Sequence, residues 1–543
     1  MDFARTTLRW NGWGWNDAPD TLGEKADAVW MWMGRTLGVD PLPHTPAKPL
    51  PEIALPPIRL SAEQLGALAQ RSAPDRVKTD DYERAFHARG RSYHDLLHLR
   101  AGVVDTAPDA VVYPESAEET LALVQYAAAH RIAVVPFGGG SSVVGGVTAR
   151  AGAGHLGVIT LDMTHMNQVL SIDEVSMTAR IQAGIYGPAL EEALQARGYT
   201  LGHYPQSFEF STLGGWIAPR GAGQQSNKYG KAERWLVSAT LATPQGLWIT
   251  EGFPGSAAGP QLRDLVAGSE GLLGVITEAV VKIHRAPEAK DYRGYIFMDF
   301  GAGIEAARAM MQNGVPTAMI RLSDPDETFF YHALHTGGEA DPSLRFCLML
   351  VGLEGGADDV AAARVRSMEI CEKHGGMHMG ESLGDAWYKG RFSTPYLRDP
   401  MLDRGLGVDT LETATAWSNL LPLHEAVTAA VREAMAANAA APGAKGIVMS
   451  HVSHSYRDGA SLYFTFAFPR ALGRDIEQWL AIKRAASETI LAHGGTISHH
   501  HGVGEDHLPW IAREKGPVGI GLLRAAKEQL DPEGILNPGK LLA

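Results

Sequence analysis

The sequence predicts an α+β protein with more than one domain. The chain has 543 residues, which exceeds what a single hydrophobic core usually supports. From about Ala110, short runs typical of strands alternate with segments of helical periodicity. No low-complexity tract or fixed-period repeat breaks this pattern, which excludes solenoids and propellers. We therefore expect an N-terminal helical and Pro-rich segment over residues 1–103, followed by units over residues 104–286, 287–497 and 498–543.

Composition limits the classes of function. The chain is 45% apolar and 20% charged, without an apolar run approaching the roughly eighteen residues that suggest a membrane span. Its 61 acidic residues outnumber the 48 basic ones and give a net charge of -13, the wrong sign for coating nucleic acid. Cys347 and Cys371 are the only cysteines, which fits a reducing compartment. With no secretory pattern at its start, we expect a cytoplasmic, bacterial protein.

The sequence pattern of the first hundred residues predicts little regular secondary structure. An aromatic cluster of Trp10, Trp13 and Trp15 precedes the helical stretch "EKADAVWMWMGRTLG". The following "DPLPHTPAKPLPEIALPPIRL" is too rich in proline for a helix and predicts an extended connector over the surface.

The next elements alternate between strand and helix. We predict strands in "DAVVYPES", "IAVVPF", "LGVITLDM" and "SMTARIQAG". Helices are expected in "YGPALEEALQARG" and in "AEETLALVQYAAAHR", where Ser116 is a candidate N-cap with Glu119 three residues later. After Pro287 a longer mixed region contains the Ala-rich helix "HEAVTAAVREAMAANAAAPG", and we expect a second, substrate-covering domain there.

A glycine cluster follows the predicted strand "IAVVPF". Glycines can adopt positive φ, and successive N–H groups in such a turn form a cradle suited to a pyrophosphate. An ordinary tight turn explains the cluster equally well, since G-x-G-x-x-G fails at Val143 and no G-K-[ST] follows. Two more segments have similar character: "PQSFEFSTLGGWIAPRGAGQQSNKYG" and "GSEGLLGVITEAVVKI".

Together, in this order and spacing, these three segments resemble the flavin-binding domain of the vanillyl-alcohol-oxidase superfamily. Over nearly the whole chain, "RWNGWGWND", "RAFHARGRSYHDLLHLR", "AMIRLSD", "YLRD", "GASLYFTF" and "SHHHGVG" resemble the alkylglycerone-phosphate synthases, flavoenzymes of ether-lipid synthesis. The resemblance implies a two-subdomain FAD-binding domain over 104–286 and an α+β cap domain over the flavin at 287–497. Residues 498–543 would be an active-site segment returning to the FAD domain.

The resemblance also implies which residues contact FAD. Superfamily relatives often tether the flavin through a histidine or cysteine after the first glycine cluster, and neither occurs here, so we expect noncovalent FAD. The expected contacts are Pro136, Phe137, Gly138, Gly139, Gly140, Ser141, Ser142, Gln206, Ser207, Ser211, Thr212, Pro219, Arg220, Gly221, Ala222, Glu270, Gly271, Gly274, Val275 and Ile276.

Three consecutive histidines, His499, His500 and His501, are the most unusual run in the sequence. Adjacent side chains in a turn point in different directions, so the three cannot all bind one metal. Packing and catalysis are otherwise equally open. The resemblance favours His500 and His501 as catalytic proton carriers, with His499 structural.

Other candidates come from the same resemblance. Tyr463 matches the tyrosine that takes a proton from the substrate, although a strand tyrosine is by default a packing residue. Arg398 matches a phosphate-binding arginine, whose guanidinium suits a dianion. Arg321 matches another substrate-binding arginine, but a salt bridge to Asp324 is an alternative explanation.

A metal site is a further alternative. His451 and His454 could bind Zn²⁺ if a carboxylate joined them. The segment "YRDGASLY" lacks the second histidine that FAD-dependent 2-hydroxyacid dehydrogenases use for metal binding, and it has Tyr463 instead. We therefore predict no metal site.

The activity implied by the resemblance is a transferase reaction. The enzyme would exchange the acyl group of 1-acyl-dihydroxyacetone phosphate for a long-chain alcohol through a flavin N5 adduct, without net oxidation. We also expect a homodimer and peripheral contact with the inner face of the membrane through the aromatic cluster or the Ala-rich helix. The alternative is a FAD-dependent 2-hydroxyacid dehydrogenase or oxidase, which "LDPEGILNPGKLL" favours. A non-enzymatic flavin-binding scaffold is a third possibility.

Overall fold

A computed structural model describes residues 5–542, so residues 1–4 and 543 of the predicted terminal segments lie outside the described residues. The α-helices are α1 (Ala26–Leu37), α2 (Ala62–Arg71), α3 (Asp81–Phe86), α4 (Tyr93–Ala101), α5 (Ala117–Ala129), α6 (Gly187–Gln195), α7 (Leu213–Ile217), α8 (Ser226–Tyr229), α9 (Ala232–Trp235), α10 (Arg263–Val266), α11 (Phe300–Gln312), α12 (Pro325–Thr336), α13 (Ala357–Lys373), α14 (Ser382–Gly390), α15 (Arg398–Leu402), α16 (Trp417–Ala437), α17 (Asp475–Ala492) and α18 (Leu508–Leu530).

The strands are β1 (Val77–Lys78), β2 (Ala110–Val112), β3 (Ile132–Phe137), β4 (Gly157–Asp162), β5 (Val169–Asp173), β6 (Thr178–Gln182), β7 (Tyr199–Thr200), β8 (Leu236–Thr243), β9 (Gly246–Ile249), β10 (Val275–Lys282), β11 (His284–Arg285), β12 (Ala289–Phe297), β13 (Thr317–Ser323), β14 (Cys347–Gly355), β15 (Met377–His378), β16 (Leu406–Ala416), β17 (Ile447–Ser455) and β18 (Gly459–Pro469). The mixture of helices and sheets confirms the α+β prediction. The predicted cap is present too, since the Ser116 hydroxyl accepts from the Glu119 N–H at 3.1 Å at the start of α5.

The first sheet has the order β1-β2-β4-β3 and is parallel except at β1. Helix α5 packs on it through fully buried Leu123 and Val124. β1 comes from the segment that we predicted to be a separate N-terminal region. Ile535 and Asn537 also lie beside this sheet, since each forms a 2.8 Å backbone hydrogen bond with Val134 of β3. Distant parts of the chain therefore complete this small sheet.

The second sheet is antiparallel, with the order β5-β6-β10-β8-β9. Its buried face packs on α6 and α7, with Leu190, Leu194 and Leu213 fully buried. Ala242 and Val275 of this sheet belong to the core of the first sheet, so the two sheets share one packed interior.

The third sheet has seven antiparallel strands in the order β15-β12-β14-β13-β17-β18-β16. One face packs on α11, α13, α16 and α17. Along β18, Leu462, Phe464 and Phe466 point into this core, while Tyr463 and Thr465 line a cavity on the other face. The period of two in a strand thus separates packing residues from site residues.

The proposed membrane contacts near the N-terminus and on the Ala-rich helix are not supported. Trp10 and Trp13 are buried, and the Trp13 ring packs edge-on against Phe210 with 5.7 Å between centroids. Helix α16 likewise buries Val427 and Val431 in the core of the third sheet. Across residues 5–542, no helix is both long and apolar enough to cross a bilayer.

Candidate active site

A cavity of about 850 Å³ lies between the two smaller sheets and the seven-stranded sheet. All of the expected flavin contacts line it except Arg220 and Val275. The Val275 side chain is fully buried in the core between sheets, and the Arg220 side chain packs over Gly268 with Glu233 3.9 Å away. The predicted substrate-binding and catalytic side chains also line the cavity: Arg321, Arg398, Tyr463, His500 and His501.

The glycine turn, residues 138–143, forms one wall. A Cβ on Gly139 would lie 1.7 Å from the carbonyl oxygen of Phe210, and a Cβ on Gly138 would lie 2.2 Å from Oγ1 of Thr212. Gly140 has φ +71°, a conformation that side chains disfavour. The turn therefore requires glycine because the loop at 210–212 packs directly against it.

The backbone amides of this turn are free. Among the described residues, no protein acceptor binds the N–H groups of residues 139–143. Unpaired donors lining a cavity are costly unless a ligand or water binds them, and a row of them suits a phosphate group. Together with the narrow, side-chain-free approach at Gly139, these donors fit the pyrophosphate of FAD.

A buried ion pair supports the glycine turn from behind. The Arg5 guanidinium donates to Asp162 at 2.5 Å and to the carbonyl oxygen of Gly138 at 2.8 Å. His87 Nε2 lies 2.8 Å from the same Asp162 carboxylate. The Arg5 charge, with the His87 hydrogen bond, outweighs burial and holds the pKa of Asp162 below its usual range. The carboxylate therefore stays charged and fixes the end of β4.

Hydrogen bonds from the segment after the histidines also support the glycine segments. The Glu270 carboxylate accepts from the N–H groups of Val503 at 2.6 Å and Gly504 at 2.7 Å. The Asn537 amide donates to the carbonyl oxygens of Glu270 at 2.6 Å and Gly146 at 3.0 Å. Burial raises the pKa of Glu270 to about 7. These bonds tie the third glycine segment to the C-terminal part of the chain.

The histidine turn, residues 498–501, is organised by one carboxylate. Glu412 of β16 accepts from the N–H groups of His499, His500 (3.2 Å) and His501 (2.8 Å), and from the hydroxyl of Ser498 at 2.8 Å. Its side chain is 1% exposed. The N–H groups of residues 499–501 are thus all bound by one protein side chain, which orients the imidazoles.

The imidazoles of this turn are neutral near pH 7. Burial lowers the pKa of His501 and holds the pKa values of His499 and His500 well below the ordinary value, with neighbouring cations acting in the same direction. The Tyr456 hydroxyl lies 2.5 Å from His499 Nε2, so His499 is fixed by protein. His500 and His501 face the cavity, where neutral imidazoles can accept protons.

Tyr463 lies on β18, next to the edge strand β16, with Glu412 and His451 as its direct neighbours on the two adjacent strands. Its ring stacks on His451 at 5.0 Å and lies 5.6 Å from the His501 ring and 6.0 Å from that of His500. Burial raises the pKa of Tyr463 to about 12, although the charge of Arg398 opposes this shift. The phenol is therefore protonated at neutral pH.

Arg321 is held by two side chains. Its guanidinium donates to His451 Nε2 at 3.0 Å and lies 3.1 Å from the Glu327 carboxylate, which contacts His451 Nδ1 at 2.8 Å. Because an arginine only donates, Nε2 of His451 must be the acceptor and Nδ1 must carry the proton. The salt bridge to Asp324 considered above is absent from the ion pairs of residues 5–542. Asp324 instead caps α12 and lies 3.3 Å from His424.

Arg398 has an unpaired charge. Both of its terminal nitrogens donate to the carbonyl oxygen of Arg91, one at 2.8 Å. Within the described chain, no carboxylate oxygen lies within 4.0 Å of this guanidinium. A cavity-lining guanidinium without a counter-ion is suited to bind an anion.

The histidines do form one possible metal-binding group. Candidate ligand atoms of His454, His499 and His500 lie within 4.8 Å of one another, whereas His451 is bound to Glu327 instead. The Lys231 ammonium donates to the carbonyl oxygen of His499 and contributes to lowering the pKa of all three imidazoles. A neighbouring cation disfavours a metal ion, so the prediction of no metal remains our preferred interpretation.

Sequence reasoning missed several residues of the site. Glu412 had one signal, since it is one of only two carboxylates, with Asp409, inside the strand run "LGVDTLETATA". His203 lines the cavity, and its Nδ1 accepts from Trp235 at 3.3 Å, while its buried Nε2 has no partner among residues 5–542. Arg391 also lines the cavity, and its carbonyl oxygen accepts from the side-chain amide of Gln206 at 2.6 Å. No local pattern distinguished His203 or Arg391.

The part of the cavity away from the glycine turn is largely apolar. Its walls come from α12, α14, α15 and the inner face of the third sheet. The apolar lining includes Phe330, Leu334, Leu348, Leu350, Leu383, Trp387, Leu397, Met401 and Met449. A long hydrocarbon chain would find complementary surface there.

Comparison with known proteins agrees with this geometry. Residues 108–252 match the model described as "FAD binding domain", and residues 286–541 match "FAD linked oxidases, C-terminal domain". The alkyldihydroxyacetonephosphate synthase of Dictyostelium discoideum is 36% identical, covering 92% of this chain and 84% of that protein. The enzyme of Trypanosoma brucei brucei is 35% identical, covering 90% and 82%. A solved alkyldihydroxyacetonephosphate synthase superposes with a TM-score of 0.83 at 32% identity, covering 99% of each chain. These matches confirm the predicted flavin-binding fold.

Proposed function

The chain belongs to the alkyldihydroxyacetonephosphate synthase family, and from this premise we propose that it exchanges the acyl group of 1-acyl-dihydroxyacetone phosphate for a long-chain alcohol. The product is an ether-lipid precursor, and the second product is a free fatty acid. One observation carries the proposal for this chain: the cavity combines an unpaired guanidinium, a buried phenol and an apolar wall in a single space.

FAD fits the glycine side of the cavity. The free N–H groups of residues 139–143 would hold the pyrophosphate, and the segments at 206–212 and 270–276 would hold the rest of the cofactor. When bound, the flavin supplies a nitrogen nucleophile that permits substitution at carbon without net oxidation. We propose that it binds noncovalently, because no cysteine or histidine directly follows the glycine turn in the sequence. Acid precipitation of the protein should then release all flavin into solution.

Arg398 and Arg321 would bind and orient the phosphate substrate. Arg398 lacks a counter-ion, so it would bind the phosphate dianion directly. Arg321 is held by Glu327 and His451, which fixes the direction of its remaining N–H groups. This difference assigns the larger share of phosphate affinity to Arg398.

Tyr463, His500 and His501 would move protons. The phenol oxygen of Tyr463 would receive the proton from C1 of the substrate as its own proton passes to the neighbouring imidazole of His500 or His501. Because His500 and His501 are neutral, they can accept protons at neutral pH, including the one lost by the incoming alcohol.

The assay is the exchange itself under conditions that exclude redox turnover. FAD-loaded enzyme, acyl-dihydroxyacetone phosphate and hexadecanol are incubated anaerobically without an electron acceptor. We expect one alkyl product for each fatty acid released. If 2-hydroxy acids bleach the flavin and no ether product forms, the alternative dehydrogenase assignment holds instead.

The assembly and location of the protein are also proposals. A homodimer in the cytoplasm with peripheral membrane contact would give the enzyme access to two substrates that partition into bilayers. Exposed Val518 and Leu522 on α18, four positions apart, support such contact. Vesicle co-sedimentation of V518S/L522S, compared with the unchanged protein, and light scattering of the purified enzyme test these two proposals.

A further inference from the structure

We propose that Arg391 binds the carboxylate of the released fatty acid, whose hydrocarbon chain then lies along α14. This inference rests on the proposed function, because the exchange reaction produces that carboxylate inside the cavity. It assigns a specific role to a residue that neither the sequence motifs nor the expected phosphate site includes.

Aromatic rings hold the Arg391 guanidinium in place. Its carbon lies 3.8 Å from the ring centre of Tyr388, 4.6 Å from that of Phe392 and 5.7 Å from that of Tyr204. One terminal nitrogen donates to the carbonyl oxygen of Tyr388. Stacking on aromatic faces restricts a guanidinium while leaving its N–H edge available for a ligand.

The charge of Arg391 has no protein partner. In the chain from residue 5 to residue 542, no carboxylate oxygen lies within 4.0 Å of it, and its Nε is buried without any acceptor. A buried donor on a permanent cation is costly unless a ligand satisfies it. Arg391 also lines the cavity, so an anion there can reach it.

Helix α14 has an apolar stripe that ends next to Arg391. Leu383, Ala386, Trp387 and Gly390 line the cavity at helical spacings of three, one and three residues, and Arg391 follows directly. A guanidinium at the end of an apolar stripe matches an amphipathic anion with a carboxylate head and a hydrocarbon tail. A phosphate without a tail would leave the stripe uncovered.

Two side chains of the predicted FAD domain fix the backbone of Arg391. The side-chain amides of Gln206 and Gln224 donate to its carbonyl oxygen at 2.6 Å and 3.0 Å. These two glutamines belong to the predicted FAD domain, while α14 belongs to the predicted cap. The carboxylate site would therefore be held where the two parts of the chain meet.

The chemistry requires two anion sites. The bond between C1 and the acyl oxygen breaks, the fatty carboxylate leaves with the electron pair, and the alcohol oxygen takes its place while the alcohol proton is released. The phosphate remains bound throughout, so a second cation must stabilise the leaving carboxylate. Arg398 serves the first anion and Arg391 the second.

The test measures binding of palmitate and of hexadecanol to FAD-loaded enzyme by calorimetry. Loss of one charged, hydrogen-bonded contact in R391Q should weaken palmitate binding by about tenfold, with hexadecanol unaffected. R391K should restore part of the palmitate affinity. The matched control is R404Q, because Arg404 also stacks on an aromatic ring, Trp30 at 4.3 Å, but does not line the cavity.

Three results would overturn the inference: unchanged palmitate affinity in R391Q, lost flavin in R391Q, or weakened binding of inorganic phosphate in place of palmitate. Flavin loss would assign Arg391 to the cofactor, and phosphate loss would assign it to the substrate head group. A protein that binds palmitate through Arg391 but forms no ether product would contradict the proposed function and leave the carboxylate site intact.

Discussion

The glycine turn and the histidine turn face the same cavity but satisfy their backbones in opposite ways. In the histidine turn, one buried carboxylate, Glu412, binds the N–H groups of residues 499–501. In the glycine turn, the N–H groups of residues 139–143 have no acceptor in the described chain. The protein binds the N–H groups of the first turn, whereas a ligand or water must bind those of the second.

This difference separates two kinds of preorganisation. A turn that is satisfied by protein keeps its side chains in place whether or not a ligand is bound, which suits groups that carry protons. A turn with free donors gains its stability from the ligand, which suits a cofactor that must bind tightly. We therefore expect substitutions that disturb the glycine turn and those that disturb the histidine turn to have different effects.

The largest effect is expected for Gly139→Ala. The added Cβ would lie 1.7 Å from the Phe210 carbonyl oxygen, so the glycine turn must move and its amides no longer converge on a phosphate. We expect protein without flavin and without activity, measured by absorbance of the purified enzyme. Gly66→Ala is the control, since a Cβ there meets no atom within 4 Å. Flavin retained at normal occupancy in Gly139→Ala would contradict the role of this turn.

Tyr463→Phe should lower the catalytic rate and leave both turns intact. Loss of a proton-transferring group typically costs about 10²–10⁴-fold in rate. We expect such a fall in kcat with normal flavin content and a normal melting temperature. Tyr126→Phe in α5, outside the cavity lining, is the control. A variant with full activity would remove Tyr463 from the mechanism.

Glu412→Ala should break the histidine turn without emptying the flavin site. Three buried N–H groups lose their acceptor at about 1–3 kcal/mol each, so the free energy of unfolding should fall by at least about 3 kcal/mol. Urea unfolding measures this loss, and absorbance should show flavin still bound. Glu412→Gln, which keeps one acceptor oxygen, should lose less. Equal loss of flavin in both variants would mean that the two turns are not independent.

Cofactor removal should distinguish the turns directly. In protein stripped of FAD, the amides of residues 139–143 should exchange with deuterium rapidly, and added FAD should slow them. The amides of residues 499–501 should be protected in both states, because Glu412 binds them throughout. Mass spectrometry of peptides covering the two turns makes the measurement. Protection of residues 139–143 without FAD would disprove the contrast.

The smallest effect concerns pH. Burial lowers the pKa of His454 to about 3, while an unfolded histidine titrates near 6.5. Below about pH 6.5 the unfolded chain binds a proton that the folded chain does not, so stability should fall by about 1.4 kcal/mol per pH unit for this group. Above pH 7 this dependence vanishes. His454→Asn should remove nearly one proton from the number taken up on unfolding, which makes stability depend less steeply on pH. An unchanged dependence of stability on pH would contradict burial of a neutral imidazole.

The sequence predicted those parts of the site that depend on local pattern. The strand "IAVVPF" ends at the glycine turn, as β3 does. The alternation in "GASLYFTF" places Tyr463 on one face and Leu462 and Phe464 on the other, as β18 does. Local periodicity fixes the direction of a side chain once the buried face is known, so these predictions needed no knowledge of distant contacts.

What the sequence could not supply were pairings over long separations. Arg5 meets Asp162 157 positions away, and Glu412 meets the histidine turn nearly 90 positions away. No local propensity encodes either pairing. The burial of Trp13 was likewise beyond local pattern, because its packing on Phe210 is a tertiary contact.

The hydrogen bonds that join residues 535–537 to Val134 have a consequence for biosynthesis. The ribosome makes the glycine turn early, but the residues that close the sheet beside it emerge 392 positions later. At bacterial-type elongation of about 5–20 residues per second, that interval is roughly 20–80 s. During that interval the nascent polypeptide has an unfinished nucleotide site, and firm capture of the vitamin-derived cofactor follows synthesis of residues 535–537.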